Sequence, residues 1–458
     1  MLRKLVLSAV SALLIFILVL IAWVVTVDPE QPDGLSDSEL SIAFDQTSHP
    51  LALGQTNVVL IIGCTVRKDH LGLYGYDRPT TPFLKQWAKH SITFDAHIGQ
   101  APWTRPSIGS IITGRYPRVL KLDNPNKGRS FRMVLKDDFV TVAEAFQSKG
   151  YQTIGAVGNP NAKVRFGMGQ GFNHYNEPDK TFRKQVSLPS GGELVEDVLS
   201  QTKGLDRPFF AQLVFVDSHL PVQAPLRFQP LFRDLRKRLR EYDASLRKLD
   251  GHIAHLVAGI RSEHPNTLFV LTADHGEGLN QPKHHGVGHG KNLYQSVIAL
   301  PHLWMHPSFD TPGRRVDSIT RNIDILPTLM DLFDVSSPWT MDGESVAKVL
   351  LDSSAQLPQR PAFTETYFKK ETKVSVVYGD SQLIRNRKSN DEQLFEVRDV
   401  FATVDRIQAD LPTAVLLRGQ LNAWEIEVAR LAAEAGDAVE APMDAETQKM
   451  LEAMGYVE

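Results

Sequence analysis

Four short, continuous apolar runs rich in β-branched residues recur along the chain. They are Asn57–Gly63, Gln152–Val157, Pro208–Val216 and Thr267–Thr272. Continuous apolarity, as opposed to alternation, is typical of strands that are buried on both faces of a parallel sheet. The runs therefore predict four strands of a central, mostly parallel sheet.

Helical patterns lie between and after these runs. Phe139–Ser148 and Asp324–Leu332 are two predicted helices. The longest predicted helix carries an apolar stripe with the three-and-four spacing of one helix face, formed by Tyr242, Leu246, Leu249, Ile253, Leu256 and Ile260. Strands that alternate with helices predict an α/β fold.

A different pattern follows the last of these helices. Val374–Tyr378 and Gln382–Arg385 are separated by a Gly-Asp-Ser turn and predict a β-hairpin. Gln393–Val397 predicts a third strand. We therefore expect a small antiparallel subdomain over residues 351–412.

The first residues predict a membrane anchor. Leu5–Val27 is an uncharged apolar run that follows two basic residues and precedes acidic ones. About 20 apolar residues span a bilayer, and the charge order places the N-terminus in the cytoplasm. The alternative is a cleaved signal peptide, but the run is longer than a usual signal sequence and lacks a small-residue cleavage site. We expect a single-pass membrane protein with its folded part outside the cytoplasm, periplasmic or extracellular.

These patterns divide the chain. Residues 1–27 are the predicted cytoplasmic N-terminus and transmembrane anchor, and residues 28–55, rich in Asp, Ser, Pro and Gly, are a predicted linker. Residues 56–350 contain the predicted sheet and form the large domain, ahead of the small subdomain. Residues 413–458, rich in Ala and Glu, predict a helical tail.

Composition adds two exclusions. The 458 residues are 42% hydrophobic, which is enough for a large core. Basic and acidic residues number 50 and 53, so the net charge of −3 gives no electrostatic case for a nucleic-acid partner. Cys64 is the only cysteine, which excludes an internal disulfide.

Polar residues follow the predicted strands. Cys64–His70 follows the first, Asp217–His219 the third and Asp274–Glu277 the fourth, and His289 lies in a glycine-rich loop with two further histidines. Ligands of α/β sheets bind beyond the carboxyl ends of the strands. Gathered at that edge, these side chains would form a metal or anion site.

A hydroxyl residue, Thr104, lies just before a predicted helix in the stretch Ala101–Gly114. Pro106 suits the first turn of that helix, whose free N–H groups attract anions. Thr104 is therefore a candidate nucleophile. The alternative is an ordinary helix start, because Thr-x-Pro-Ser is common in turns.

From Asn57 to about Pro412 the chain resembles the sulfatase family of the alkaline phosphatase superfamily. The resemblance rests on segments in a matching order, which are Arg67–Tyr76, Pro79–Pro82, the Thr104 loop with Thr113–Pro117, Asp217–Pro221, Asp274–Glu277 and Gly288–Gly290. It implies a central mixed sheet flanked by helices, a small C-terminal antiparallel subdomain, a divalent metal ion and an anionic ester substrate.

The sequence departs from the family in two ways, and the first concerns the loop that carries the nucleophile. Formylglycine sulfatases carry Cys-x-Pro-Ser-Arg, where this chain has Thr104 and Ile108. A threonine cannot become formylglycine. Thr-x-Pro-Ser resembles the loop of lipoteichoic acid synthases and phosphoethanolamine transferases, membrane-anchored superfamily members that attack phosphorus directly. Arg105 is a candidate for the positive charge that Ile108 lacks.

The second departure is Cys64, which stands where the family usually has a metal-binding Asp or Glu. A thiolate is a softer ligand than a carboxylate, so it favours zinc over calcium, magnesium or manganese. With Asp274, His275 and Thr104 it would form a four-point metal shell. The alternative is a buried structural cysteine beside a weakened or absent metal site.

These residues lead to three hypotheses. In the first, Thr104 is the nucleophile of a metal-dependent hydrolase of sulfate or phosphate esters, while His219 and His289 bind anionic oxygens or protonate the leaving group. The second is a transferase that moves a phospho-group onto an envelope glycan or lipid. The third is an inactive binding protein with a sulfatase-like fold. In each, the predicted N-terminal helix is the contact with the membrane.

Overall fold

The computed structural model describes residues 11, 13–15, 28–123, 130–177, 181–182, 185–186, 190–222, 224–309, 313–335, 340–369, 371–454 and 456. Within these ranges no helix is both long and apolar enough to cross a bilayer. Apart from residues 11 and 13–15, the predicted anchor Leu5–Val27 lies outside the described residues, so the anchor stays a prediction.

The described strands and helices alternate through most of the chain. The strands are β1 Asn57–Gly63, β2 Ile92–Ile98, β3 Met133–Val134, β4 Gln152–Val157, β5 His174–Asn176, β6 Thr181–Phe182, β7 Gln185–Val186, β8 Phe209–Phe215, β9 Thr267–Ala273, β10 Gly278–Leu279, β11 Val287–Gly288, β12 Ala299–Leu300, β13 His302–Met305, β14 Arg315–Arg321, β15 Ala362–Thr366, β16 Lys373–Tyr378, β17 Ser381–Asn386, β18 Glu392–Glu396 and β19 Val439–Glu440. The helices are α1 Asp37–Ala43, α2 Pro82–Trp87, α3 Thr104–Thr113, α4 Pro117–Leu120, α5 Val142–Gln147, α6 Gly191–Thr202, α7 Lys237–Glu263, α8 Gln295–Ile298, α9 Ile325–Leu332, α10 Ala347–Leu351, α11 Leu411–Glu434 and α12 Ala445–Ala453.

A nine-stranded mixed sheet forms the centre of the fold. Its order is β12-β2-β13-β9-β1-β8-β4-β5, with β14 beside β2. β9, β1, β8, β4 and β5 are parallel, whereas β13 pairs antiparallel with both β9 and β2. The four predicted apolar runs are β1, β4, β8 and β9, and they lie side by side. The predicted central mixed sheet is confirmed.

Helices cover both faces of this sheet, and every residue of β1, β8 and β9 is buried as a result. On one face α3, α5 and α9 contribute Ile108, Phe146 and Leu329 to a single apolar cluster. On the other, α7 buries the whole predicted stripe from Tyr242 to Ile260 against the sheet. Continuous apolar strands are what such two-sided burial requires.

The C-terminal part contains the predicted antiparallel sheet and one unpredicted strand. Its order is β15-β16-β17-β18, which confirms the hairpin and the third strand and adds β15. The predicted helical tail is divided: α11 packs on this sheet through Leu417, Leu421 and Trp424, and the short strand β19 separates it from α12. β19 pairs with β3 of the large domain, so the last helix is carried back toward the central sheet.

The segment predicted as a linker contains a short helix and contacts the large domain. α1 begins in a capping box formed by Ser36 and Glu39. Arg247 of α7 donates to the backbone carbonyls of Asp28 and Pro29. The composition of residues 28–55 could not predict this contact, because Arg247 binds main-chain carbonyls, which every residue carries.

Candidate functional site

Four parallel strands deliver the residues of the site to one edge of the sheet. Cys64 directly follows β1 and Asp274 directly follows β9, while Asn159 and His219 lie in the loops after β4 and β8. The carboxyl ends of parallel strands meet at the same edge. Residues that are distant in sequence therefore converge there.

Thr104 is the first residue of α3, which begins after Trp103 in an extended conformation. Its side chain is fully buried. Ser107, in the first turn, donates its hydroxyl to the carbonyl of Asp274 at 2.5 Å, which fixes the start of α3 against the end of β9. The sequence predicted Thr104 in a loop before the helix, and the structure places it in the first turn, where free N–H groups favour an anion.

The Thr104 hydroxyl has four polar neighbours. Its Oγ1 lies 3.2 Å from His275 Nε2 and 3.6 Å from Cys64 Sγ. Asn159 Nδ2 donates to it at 3.3 Å, and Tyr456 Oη lies 2.7 Å away. The structure thus brings the predicted nucleophile into contact with two of the predicted metal ligands.

Cys64, Asp274 and His275 have their ligand atoms within 4.8 Å of one another, and all three side chains are fully buried. His275 donates Nδ1–H to the carbonyl of Gly276 at 2.8 Å, which leaves the lone pair of Nε2 facing Thr104. A histidine oriented in this way is ready to bind a metal through its other nitrogen.

The Asp274 carboxylate supplies a direct test of whether the site fits a cation. Its Oδ1 accepts the backbone N–H groups of Thr65 and His275 at 3.1 and 2.7 Å. Its Oδ2 is buried and has no hydrogen-bond partner among the described residues. A buried carboxylate oxygen is costly without a partner. With sulfur from Cys64 and nitrogen from His275, the donor set fits a divalent metal of the zinc type.

The charge state of Cys64 depends on what lies beside it. Burial raises the pKa of the thiol well above its usual range, and the nearby Asp274 raises it further. Asn159 opposes this shift because its Nδ2 donates to Sγ at 3.2 Å. Metal binding requires the deprotonated thiol, so a bound cation would have to displace the proton.

Two predicted histidines and a glutamate form the other side of the site. His219 donates Nδ1–H to the carbonyl of Leu220, so its Nε2 lone pair faces Tyr456 Oη at 3.2 Å. His289 Nδ1 lies 3.3 Å from Glu277 Oε2. Burial lowers the pKa of His219 to about 3 and of His289 to about 4, and raises the pKa of Glu277 to about 7.

Arg105 has different surroundings from Thr104. Its guanidinium lies 3.5 Å from the ring centre of Phe166 and donates to Asn161 Oδ1 and to the carbonyl of Met133. Burial lowers its pKa to about 9. The structure therefore does not group this side chain with Cys64, Asp274 and His275, and its role as a positive charge for substrate stays a prediction.

Sequence reasoning missed two neighbours of the nucleophile. Asn159 follows β4, so the rule that selected residues after the other strands could have found it. Tyr456 has no such signal, because it lies 352 positions from Thr104 along the chain. Only the return of α12 to the central sheet brings it into the site.

Comparison with known proteins identifies the fold family. The sequence profile of the family described as Sulfatase matches residues 56–335, more than half of the chain. The chain belongs to the sulfatase family. A second profile, described as N-sulphoglucosamine sulphohydrolase, C-terminal, matches residues 284–400 of this sulfatase-family protein.

Curated relatives are distant. The sulfatase-family chain is 24% identical over 344 residues to the ulvan-active sulfatase of Formosa agariphila, covering 64% of this chain and 65% of that protein. It is 24% identical over 364 residues to human arylsulfatase A, covering 68% of this chain and 71% of that protein. The match thus spans just under two thirds of the length of the first relative.

Solved structures show the same fold. A protein in complex with its substrate D-glucosamine-2-N,6-O-disulfate superposes with a TM-score of 0.66 at 15% identity, over 83% of this sulfatase-family chain and 98% of that chain. The phosphonate monoester hydrolase of Silicibacter pomeroyi gives a TM-score of 0.65 at 18% identity, over 82% and 96%. At these identities the likeness establishes architecture.

Proposed function

We propose that this protein is a metal-dependent hydrolase of sulfate or phosphate esters that uses Thr104 as its nucleophile. The observation that carries the proposal is the placement of a buried threonine hydroxyl at a helix N-terminus, in contact with Cys64 and His275 of a group that fits a divalent cation. Membership of the sulfatase family supports the reaction class.

Cys64, Asp274 and His275, with Thr104, would hold the metal. A divalent cation there supplies Lewis-acid chemistry that lowers the pKa of a bound hydroxyl. Asn159 Nδ2 donates to the Thr104 oxygen and stabilises its deprotonated form. These residues prepare the nucleophile.

The reaction then proceeds in two displacements at sulfur or phosphorus. Thr104 Oγ1, whose proton has passed to solvent, forms a bond to that atom while the bond to the leaving oxygen breaks. His289 gives the leaving oxygen a proton from Nε2 and accepts one on Nδ1 from Glu277. Water then attacks the group on Thr104 and the bond to Thr104 Oγ1 breaks, which releases sulfate or phosphate. His219 Nε2 accepts a proton of the water and passes it to the released Thr104 oxygen, and Glu277 regains its proton from solvent.

An anionic ester on a glycan or lipid is the proposed substrate class. The support is that the Formosa relative is named for its action on ulvan and that a structural neighbour was solved with a disulfated glucosamine. The proposed location is outside the cytoplasm, on a single-pass anchor formed by Leu5–Val27.

The test uses the full chain purified in detergent and loaded separately with zinc, manganese, magnesium or calcium. Aryl sulfate, phosphate monoester, phosphodiester and phosphonate monoester substrates are offered, with and without a glycan or lipid acceptor. We expect product from at least one ester and none after chelation. Transfer to the acceptor in preference to water would replace the hydrolase by a transferase, and stoichiometric ligand binding without turnover would replace it by a binding protein.

A further inference from the structure

Tyr456, near the C-terminus, lies in the proposed catalytic site. Tyr456 follows α12 and is fully buried. Its hydroxyl lies 2.7 Å from Thr104 Oγ1, 3.2 Å from His219 Nε2 and 3.4 Å from Asn159 Nδ2. A single phenol oxygen therefore contacts the proposed nucleophile, the proposed base and the amide that stabilises the nucleophile.

This position is the one that the reacting group of a substrate needs. In a productive complex the attacked atom lies about 3 to 3.5 Å from the nucleophilic oxygen. Cys64, His275 and Asn159 lie 3.2 to 3.6 Å from the Thr104 oxygen, and the hydroxyl of Tyr456 is nearer, at 2.7 Å. A sulfuryl or phosphoryl group cannot share the space of a hydroxyl that is 2.7 Å from the same oxygen.

We propose that the C-terminal segment formed by residues 439–454 and Tyr456 is a built-in plug that competes with substrate, with Tyr456 in the place of the reacting group. The proposal rests on the proposed function for the identity of the site. It adds that the structure shows a closed state and that substrate binds only after the segment leaves.

An aromatic pocket holds the phenol ring of the plug. Ring centres of Trp103, Phe131 and Phe368 lie 6.4, 6.5 and 6.5 Å from that of Tyr456. Leu451 and Met454 of the same segment join this apolar cluster. The ring is therefore seated by packing, and the hydroxyl is directed into the site by that seat.

The rest of the plug is attached by few contacts. β19 pairs with β3 over only two residues. Arg165 binds Asp444 and the hydroxyl of Thr447 at the start of α12. Most residues from 437 to 449 are at least partly exposed. The burial of the segment is concentrated in Met450, Leu451, Met454 and Tyr456, which are not part of the central sheet. A segment attached in this way opens at a fraction of the global free energy of unfolding, so the plug can leave while the sheet stays folded.

The plug lowers the apparent affinity for substrate by the fraction of molecules that are open. Tyr456→Ala removes the phenol from the site, and we expect kcat/KM to rise by about tenfold or more. Tyr456→Phe keeps the ring and loses the hydroxyl contacts, so we expect a smaller rise. Gln448→Ala, on the exposed side of α12, is the matched control and is expected to resemble the unchanged protein.

A second readout does not depend on turnover. Cys64 is the only cysteine and shares Asn159 Nδ2 with Tyr456. In metal-free full-length protein, Tyr456→Ala is expected to speed alkylation of Cys64 by iodoacetamide by about tenfold or more. Arg165→Gln, which loosens the plug away from the site, is expected to speed it as well.

The two readouts separate this proposal from the proposed function. Faster alkylation with no turnover on any ester would support the plug and contradict the hydrolase. Unchanged alkylation in both Tyr456→Ala and Arg165→Gln, with circular dichroism showing folded protein, would overturn the plug. A loss of kcat in Tyr456→Phe with KM unchanged would also overturn it, because the hydroxyl would then be a catalytic group.

Discussion

The thiol of Cys64 lies 3.6 Å from the hydroxyl of Thr104. Both positions, like Ile108, depart from the sulfatase pattern, and the fold places these two side chains in contact. Both side chains are fully buried, at the end of β1 and at the start of α3. The change of nucleophile and the change of metal ligand therefore concern one site, and a substitution at either position should alter the chemistry of the other.

Cys64→Asp is expected to change the metal preference. A carboxylate is a harder ligand than a thiolate, so the variant should shift from zinc toward manganese, magnesium or calcium. Competitive metal loading followed by elemental analysis of the full chain checks this. Cys64→Ala is the companion variant and should lose bound zinc; stoichiometric zinc at unchanged affinity in Cys64→Ala would remove the thiol from the metal site.

Thr104→Ala is expected to abolish turnover, whereas Thr104→Ser should keep part of it because it retains the hydroxyl. Ser110→Ala is the control, since it deletes another buried hydroxyl of α3, one with no hydrogen-bond partner among the described residues. The measurement is kcat on the best ester from the screen. Turnover that survives in Thr104→Ala would exclude this residue as the nucleophile.

Asn159→Asp is expected to lower kcat by about tenfold or more and to lower the melting temperature, because it places a carboxylate in the buried site. The substitution removes the N–H donors to Cys64 Sγ and Thr104 Oγ1 but keeps the oxygen that accepts the backbone N–H of Asn161 at 2.9 Å. Steady-state kinetics and a melting curve on the same sample check both parts. An unchanged kcat would show that the amide has no share in preparing the nucleophile.

The free energy of unfolding is expected to depend on pH through Asp250, a residue of α7 that is not part of the proposed site. Its carboxylate accepts the N–H groups of Phe83 and Leu84 at the start of α2, and burial raises its pKa from 3.8 to about 7. A raised folded pKa means that the folded state holds the proton more tightly than the unfolded state. Its contribution to stability is thus fully present below about pH 4 and is lost as the pH rises through about 7.

Asp250→Asn removes this titration. Relative to the unchanged protein, the variant should be more stable at pH 8 than it is at pH 5, as measured by the free energy of urea unfolding at about these two pH values. Asp234→Asn is the matched control, because that carboxylate is exposed. A difference in the free energy of unfolding that stays constant across the range would contradict the raised pKa.

Hydrophobic patterns in the sequence predicted much of the fold, because a strand that is buried on both faces is apolar at nearly every position. β1 and β9 are therefore apolar at most positions. β2 was missed because Asp95 and His97 interrupt its apolar character. In the structure Asp95 forms an ion pair with Arg315, and His97 bonds to Thr320 and Asn322, so tertiary partners satisfy the polar groups of this strand.

The candidate site likewise contains residues that the sequence could predict and residues that it could not. Cys64, Asp274 and His219 could be selected because they follow predicted strands whose ends meet at one edge. The direction of Arg105 could not be predicted, since residues next to each other on a helix point to different sides. The position of Tyr456 in the site depends on how the more than three hundred residues between it and Thr104 fold, and no local sequence pattern predicts that.

The central claim is that Thr104 forms the covalent bond to the transferred group. The direct measurement is rapid acid quenching of the metal-loaded full chain during turnover, followed by high-resolution mass spectrometry of its peptides. The variant His219→Ala is included because it should slow the release of the group by water. The account predicts a sulfuryl or phosphoryl group on Thr104, enriched in that variant and absent from Thr104→Ala. Turnover without any modified Thr104 in either protein, or modification of another residue, would contradict it.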